Sequence, residues 1–141
     1  MLDRNRFLQA QKGSYSKALE EIKRGKKETH WIWYIFPQLK DLGQSRTAKF
    51  YGIENRKEAE DYLGDPVLKD RLIEISKALL ELESSNPRQV MGDPDYKKLQ
   101  SSMTLFDEVS DEEVFQKVLG KFYGEIKDEE TLRLLKKEES L

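Results

Sequence analysis

The stretch Trp31-Ile32-Trp33-Tyr34-Ile35-Phe36, closed by Pro37, decides the fold class. Six consecutive apolar or aromatic residues, two of them isoleucine, read on their own as a buried strand. A strand needs a partner, and no second β-branched or alternating run of that length occurs in the chain. The stretch is therefore expected to be a short buried helix or turn that Pro37 ends, because the residue before a proline is pushed out of helical geometry. On that reading the chain is all-α. The same stretch concentrates costly residues: His30 is the only histidine, and Trp31 and Trp33 are both of the tryptophans. Their ring nitrogens need partners when buried, so two roles stay open for them, core filling and the lining of a pocket.

Outward from this stretch the apolar residues repeat with helical spacing. On the N-terminal side, Asp3 caps a helix that Gly13 ends, and Ala18, Leu19 and Ile22 carry a second one as far as Gly25. On the C-terminal side, Ser45 caps a short helix with Ala48, Phe50 and Tyr51, and Asn55 caps another to about Leu63. Asp65-Pro66 then opens a long central helix near 66-83, in which Leu68, Leu72, Ile75, Leu79 and Leu82 form one stripe. Val90, Met91 and Gly92 read as an apolar turn before a second capped start at Asp93-Pro94, leading a helix to Phe106. Ser110 with Glu113 reads as a capping box for a helix to Phe122, and Asp128 opens a last helix through Leu135. The expectation is a single compact multi-helix domain over residues 1-141, without repeats or linkers.

A chain of 141 residues suits one core, and its 37% charged residues belong on the outer faces of these periodic helices. With no cysteine there is no disulfide, thiolate nucleophile or zinc-thiolate site, and no segment reaches signal-peptide or membrane-spanning length, so a cytoplasmic protein is expected. The net charge of -2 conceals a split. Residues 1-60 carry 13 Lys plus Arg against 8 Asp plus Glu, whereas the remainder carries 12 against 19. Lys23, Arg24, Lys26 and Lys27, just before the aromatic stretch, either steer an anionic ligand there or simply complement the end of a helix dipole.

No Walker loop, dinucleotide glycine motif or Gly-x-Ser-x-Gly elbow is present, and nothing calls for a cofactor or a metal. Nucleophilic chemistry would require Ser101, Ser102 or Thr104 to meet His30, the sole imidazole base. Asp93 and Asp95 are weak oxygen ligands at most, and Asp93 is better explained as a cap. Phosphate recognition would fall to cations near helix starts, with Arg46 and Lys98 as candidates.

The residues His30-Trp31-Ile32-Trp33, Phe36-Pro37-Gln38, Leu42-Gly43-Gln44-Ser45, Ala48 and Tyr51, followed later by Asp95, Lys98-Leu99 and Ser101 to Phe106, form a pattern that covers nearly the whole chain. It resembles an uncharacterised bacterial family of small all-helical proteins, known structurally from a conserved mycobacterial protein. Some members bear the label calpastatin, but true calpastatin is a long disordered inhibitor, and a periodic, capped chain contradicts that reading. The resemblance implies a helical fold and two signature segments, His30 to Ser45 and Asp95 to Phe106. It further implies that these meet in one site, with His30, Trp33, Gln38, Ser45, Lys98, Ser101 and Ser102 as its polar members.

Two functional readings follow. In the first, a pocket between the 30-45 and 95-106 segments stacks a planar group on Trp31 or Trp33 and holds an anionic group with Arg46 or Lys98. The ligand is then small and anionic or nucleotide-like, an ADP-ribose derivative included, and the protein binds it or acts on it. In the second, the aromatic and basic 23-36 surface is a non-catalytic interaction module for a protein or single-stranded nucleic acid. The acidic second half argues against duplex nucleic acid as a partner.

Overall fold

Asp3, Ser45, Asn55, Asp65 and Asp128 each cap a helix where the sequence predicts one. The protein, described over residues 2–140 of a computed structural model, begins with Asp3 accepting a hydrogen bond from the Asn5 N–H to open α1 (Arg4–Lys12), and α2 (Tyr15–Lys23) follows Gly13. The deciding stretch is helical: α3 (Ile32–Ile35) is one turn that ends at Phe36, ahead of Pro37. Ser45 caps α4 (Arg46–Phe50), Asn55 caps α5 (Arg56–Gly64), and Asp65 with Pro66 opens α6 (Pro66–Leu80). Then come α7 (Pro87–Met91), α8 (Asp95–Glu108), α9 (Glu113–Tyr123) and α10 (Glu129–Glu139). Among the described residues there is no strand, only an isolated bridge between Leu39 and Ile53. No helix of the described residues is long and apolar enough to cross a membrane.

Three local expectations change. The expected turn around Val90 is the helix α7, because the Asn86 side chain accepts from the Arg88 and Gln89 N–H groups and Pro87 occupies the first turn. Asp93 does not cap α8: Pro94 takes the cap position, which leaves Asp93 one residue too early. Ser110 does not start α9 either, since its hydroxyl donates to the Phe106 carbonyl at the end of α8, and α9 begins only at Glu113.

The core is built on α6, which packs against α2, α5 and α9, while α8 packs against α7, α9 and α10. Leu68, Leu72, Ile75 and Leu79 are buried as the stripe requires. A run of rings crosses the interior, from Phe7 to Tyr62 at 5.1 Å, Tyr62 to Phe106 at 5.3 Å and Phe106 to Phe115 at 5.9 Å, and so joins α1, α5, α8 and α9. Buried polar groups are placed where they tie helices together. Gln11 donates to the Tyr34 carbonyl and the Tyr62 hydroxyl and accepts from Arg71, which links α1, α3, α5 and α6.

Glu21 fixes the entry into α3. It is 1% exposed, one turn after Ala18 on the inner face of α2. Its Oε1 accepts from the backbone N–H groups of Glu28 at 2.7 Å and Thr29 at 2.9 Å and from Trp31 Nε1 at 3.0 Å, and its Oε2 accepts from the Thr29 hydroxyl at 2.6 Å. Burial by itself would raise the carboxyl pKa, but the hydrogen bonds from Thr29, Glu28 and Trp31 outweigh it and hold the group at about 2. A second constraint sits across the 40–52 loop, where the Ile53 N–H donates to the Gln38 carbonyl and the Lys40 N–H to the Ile53 carbonyl. At that crossing a Cβ on Gly52 would lie 2.4 Å from Lys40 Cα, so only glycine allows the backbones to approach.

Replacing Glu21 by Gln removes the charge that four donors share and turns an amide NH2 toward the Thr29 hydroxyl, and we expect a loss of about 2–3 kcal/mol near neutral pH, read by denaturant unfolding. Because the folded pKa of Glu21 lies below its ordinary 4.5, its contribution is present above that value and is lost as pH falls toward about 2. The stability gap between wild type and Glu21→Gln should therefore narrow across that window, and a constant gap refutes the assignment. Gly52→Ala should cost about 1–3 kcal/mol through backbone displacement, measured in the same way.

Candidate functional site

Where the α3 turn meets the 40–52 loop, the chain leaves a crevice of about 220 Å³ lined by Ile32, Trp33, Phe36, Gln38, Ala48, Tyr51, Gly52 and Lys98. It is narrow, with room at its centre for roughly one water. Ile32, Phe36 and Ala48 are buried and make its apolar walls. Trp33 is half-buried, and its indole N–H is shielded from solvent without an acceptor among the described residues. Lys98 reaches from α8 to place its Nζ 5.3 Å from the centre of the Trp33 ring. Burial, followed by the neighbouring Tyr34, pushes the Tyr51 hydroxyl pKa up, so the group stays protonated and able to donate. No carboxylate lines the crevice.

A partly buried ion pair behind the crevice sets its charge. Lys27 Nζ lies 2.8 Å from Asp95 Oδ2, with the lysine side chain only 5% exposed, and the same ammonium donates to the Thr29 carbonyl and sits 4.9 Å from the centre of the Trp31 ring. Lys98 is 3.8 Å from the other oxygen of Asp95, at the limit of an ion pair. Because Lys27 already neutralises Asp95, Lys98 is the surplus positive charge at the edge of the crevice.

The residues named from the sequence separate here. Trp33, Gln38 and Lys98 come together around the crevice. Trp31 does not: it is 2% exposed, and its N–H is committed to Glu21. His30 is exposed and makes no hydrogen bond with the described residues, so it forms no catalytic pair with Ser102, which is fully buried. Ser45 spends its oxygen on the Ala48 N–H, 3.1 Å away, and Arg46 is exposed on α4 outside the lining. Ser101 bonds back to the Lys97 carbonyl at 3.1 Å, the usual fate of a serine inside a helix. Ser102, one turn beyond Lys98 on α8, is buried with no partner for its hydroxyl among the described residues. The expected meeting of the two segments is thus uneven, with residues 32–38 and 48–52 making the walls and Lys98 the one lining residue of the second segment.

An exposed aromatic and basic face over 23-36 does not form, because Trp31 and Lys27 both turn inward; Lys23, Arg24 and Lys26 remain as exposed cations. Sequence reasoning missed Glu21 and the Lys27–Asp95 pair. Glu21 could have been found from its register, since it sits three residues after Ala18 and next to Ile22 on an apolar face. No group of His, Cys, Asp or Glu able to hold a metal ion occurs among the described residues.

Comparison with known proteins supplies a family. None of the curated proteins compared matches the chain. A solved structure, that of the conserved hypothetical protein Rv1873 from Mycobacterium tuberculosis, superposes with a TM-score of 0.93 at 39% identity, covering 95% of this chain and 96% of that one. The model of the family described as "Protein of unknown function (DUF1810)" matches residues 1–135. At that span and identity the chain, with its helical fold and its crevice between α3 and the 40–52 loop, belongs to the DUF1810 family.

Proposed function

We propose that the protein is a cytoplasmic small-ligand-binding protein whose ligand presents an anionic group to the crevice between α3, the 40–52 loop and α8. The observation that carries this reading is Lys98, a surplus cation at the edge of a crevice that no carboxylate lines. The unpartnered Trp33 N–H and the Gln38 amide supply further hydrogen-bonding capacity beside it. With room for roughly one water, the crevice is far smaller than pockets that enclose whole drug-sized ligands. A nucleotide or ADP-ribose derivative would therefore insert one end and leave the rest outside. The wall able to give way is the 40–52 loop, in which Ala48 is the one buried residue between Lys40 and Tyr51.

A thermal-shift screen with nucleotides, ADP-ribose derivatives and small organic acids tests this reading. A binding member should raise stability with the logarithm of its concentration above Kd, by about 2.7 kcal/mol at a hundredfold excess. Lys98→Ala should abolish most of the shift while leaving the free protein folded, and His30→Ala, outside the crevice, should retain it. A shift equally large in Lys98→Ala, or no shift from any anion at millimolar concentration, refutes the proposal.

A further inference from the structure

One of the buried polar atoms without a partner belongs to a residue that lines the crevice. Among the described residues these atoms are Trp33 Nε1, Ser102 Oγ and Arg6 Nε. Trp33 lines the crevice; Arg6 donates from its other nitrogens to the Asp3 carbonyl and to the carbonyl of Gly52, another lining residue; Ser102 follows Lys98 by one turn of α8. Buried donors are nearly always satisfied in folded proteins, so the Trp33 N–H, the one of the three on a residue that lines the crevice, marks a place where an acceptor from outside would be strongly held.

We infer that the crevice recognises a compact carboxylate on an apolar stem, an inference that rests on the crevice being the ligand site. The lining of the crevice combines a few polar groups with apolar walls. Lys98 offers the one full charge, and the Trp33 N–H, the Gln38 amide and the Tyr51 hydroxyl offer neutral donors, which suits a monoanion. Ile32, Phe36 and Ala48 offer no donor at all, whereas a phosphate would present acceptor oxygens toward every wall. The Lys27–Asp95 pair removes the second cation that a phosphate dianion would need. The crevice as it stands holds about one water, so the stem must be small, as in a benzoate or a short branched acid, and it enters as the 40–52 loop gives way. The carboxylate oxygens accept from Lys98 Nζ and Trp33 Nε1–H, and the stem lies against Ile32 and Phe36.

Two indole N–H groups allow a direct test on the intact protein, because Trp31 is bonded to Glu21 and Trp33 is free. In ¹H–¹⁵N spectra the Trp33 indole signal is identified by its loss in Trp33→Phe. Titration with benzoate or 3-methylbutanoate should move that signal saturably and leave Trp31 unmoved; Lys98→Met should weaken binding by about tenfold or more. Benzamide, of the same shape but neutral, should bind at least about tenfold more weakly than benzoate. Movement of the Trp33 signal by inorganic phosphate or adenosine monophosphate but not by the carboxylates overturns the carboxylate assignment and leaves the anionic-ligand reading intact. Equal responses to benzamide and benzoate overturn the role given to charge. If no anion moves the signal in a protein whose remaining spectrum is that of the folded state, both readings fall.

Discussion

The Glu21 carboxylate is the constraint on which the rest of the structure depends. Four donors converge on it from residues 28 to 31, so the chain leaving α2 is fixed at a bend where no regular secondary structure would hold it. That bend decides which way each aromatic residue of the next turn points. With its N–H tied to Glu21, Trp31 goes into the core beside Phe36, at 6.2 Å between ring centres. Trp33, two residues on in a helical turn, is directed elsewhere, toward Lys98. One buried charge thereby separates two tryptophans that look alike in the sequence into a core residue and a crevice residue.

The Lys27–Asp95 pair is the second consequence of the same bend. Lys27 lies inside the segment that Glu21 closes, and its ammonium is satisfied by Asp95, the Thr29 carbonyl and the face of Trp31. A buried pair of this kind adds little net stability compared with apolar side chains, but removing one partner costs about 3–5 kcal/mol. Its effect is therefore one of register: it joins the start of α8 to the segment before α3. The electrostatic result reaches the crevice, since Asp95, which would otherwise compensate Lys98, is engaged on its other side.

The helices were legible because their signals are local. Asp3, Ser45, Asn55 and Asp65 each cap the helix their position predicts, and the stripe from Leu68 to Leu79 is buried along one face of α6. The absence of a partner strand was enough to assign Trp31 to Phe36 to a helical turn. Ser110 and Asp93 failed for a reason of the same kind, because a side chain that resembles a cap at one helix start is committed to another helix end or displaced by a proline. The site was legible only in part. Trp33, Gln38 and Lys98 do meet, whereas Trp31, Ser45 and Ser101 resemble them in type but have their polar atoms committed to Glu21, the Ala48 N–H and the Lys97 carbonyl. Which polar atoms are free depends on contacts across 10 to 60 residues, such as Glu21 to Trp31 or Gln11 to Arg71, and no local pattern encodes them.

The glycines show how the loop wall of the crevice is made thin. Gly52 passes Lys40 so closely that any side chain would meet its backbone, and a Cβ on Gly43 would lie 2.5 Å from Ala48 Cβ. Both contacts hold the 40–52 loop as a compact unit, closed at its base by the Leu39–Ile53 bridge and internally by Gly43 against Ala48. The loop presents Ala48, Tyr51 and Gly52 to the crevice yet contributes little to the core, with Phe50 left 59% exposed on its outer side. By contrast, α3 is anchored through Gln11 and Glu21, and α8 through its packing on α9 and α10. The crevice is therefore bounded by two anchored elements that carry Trp33 and Lys98 and one lightly held loop that carries none of its charge. That division keeps Trp33 and Lys98 in register while leaving the opening to the loop.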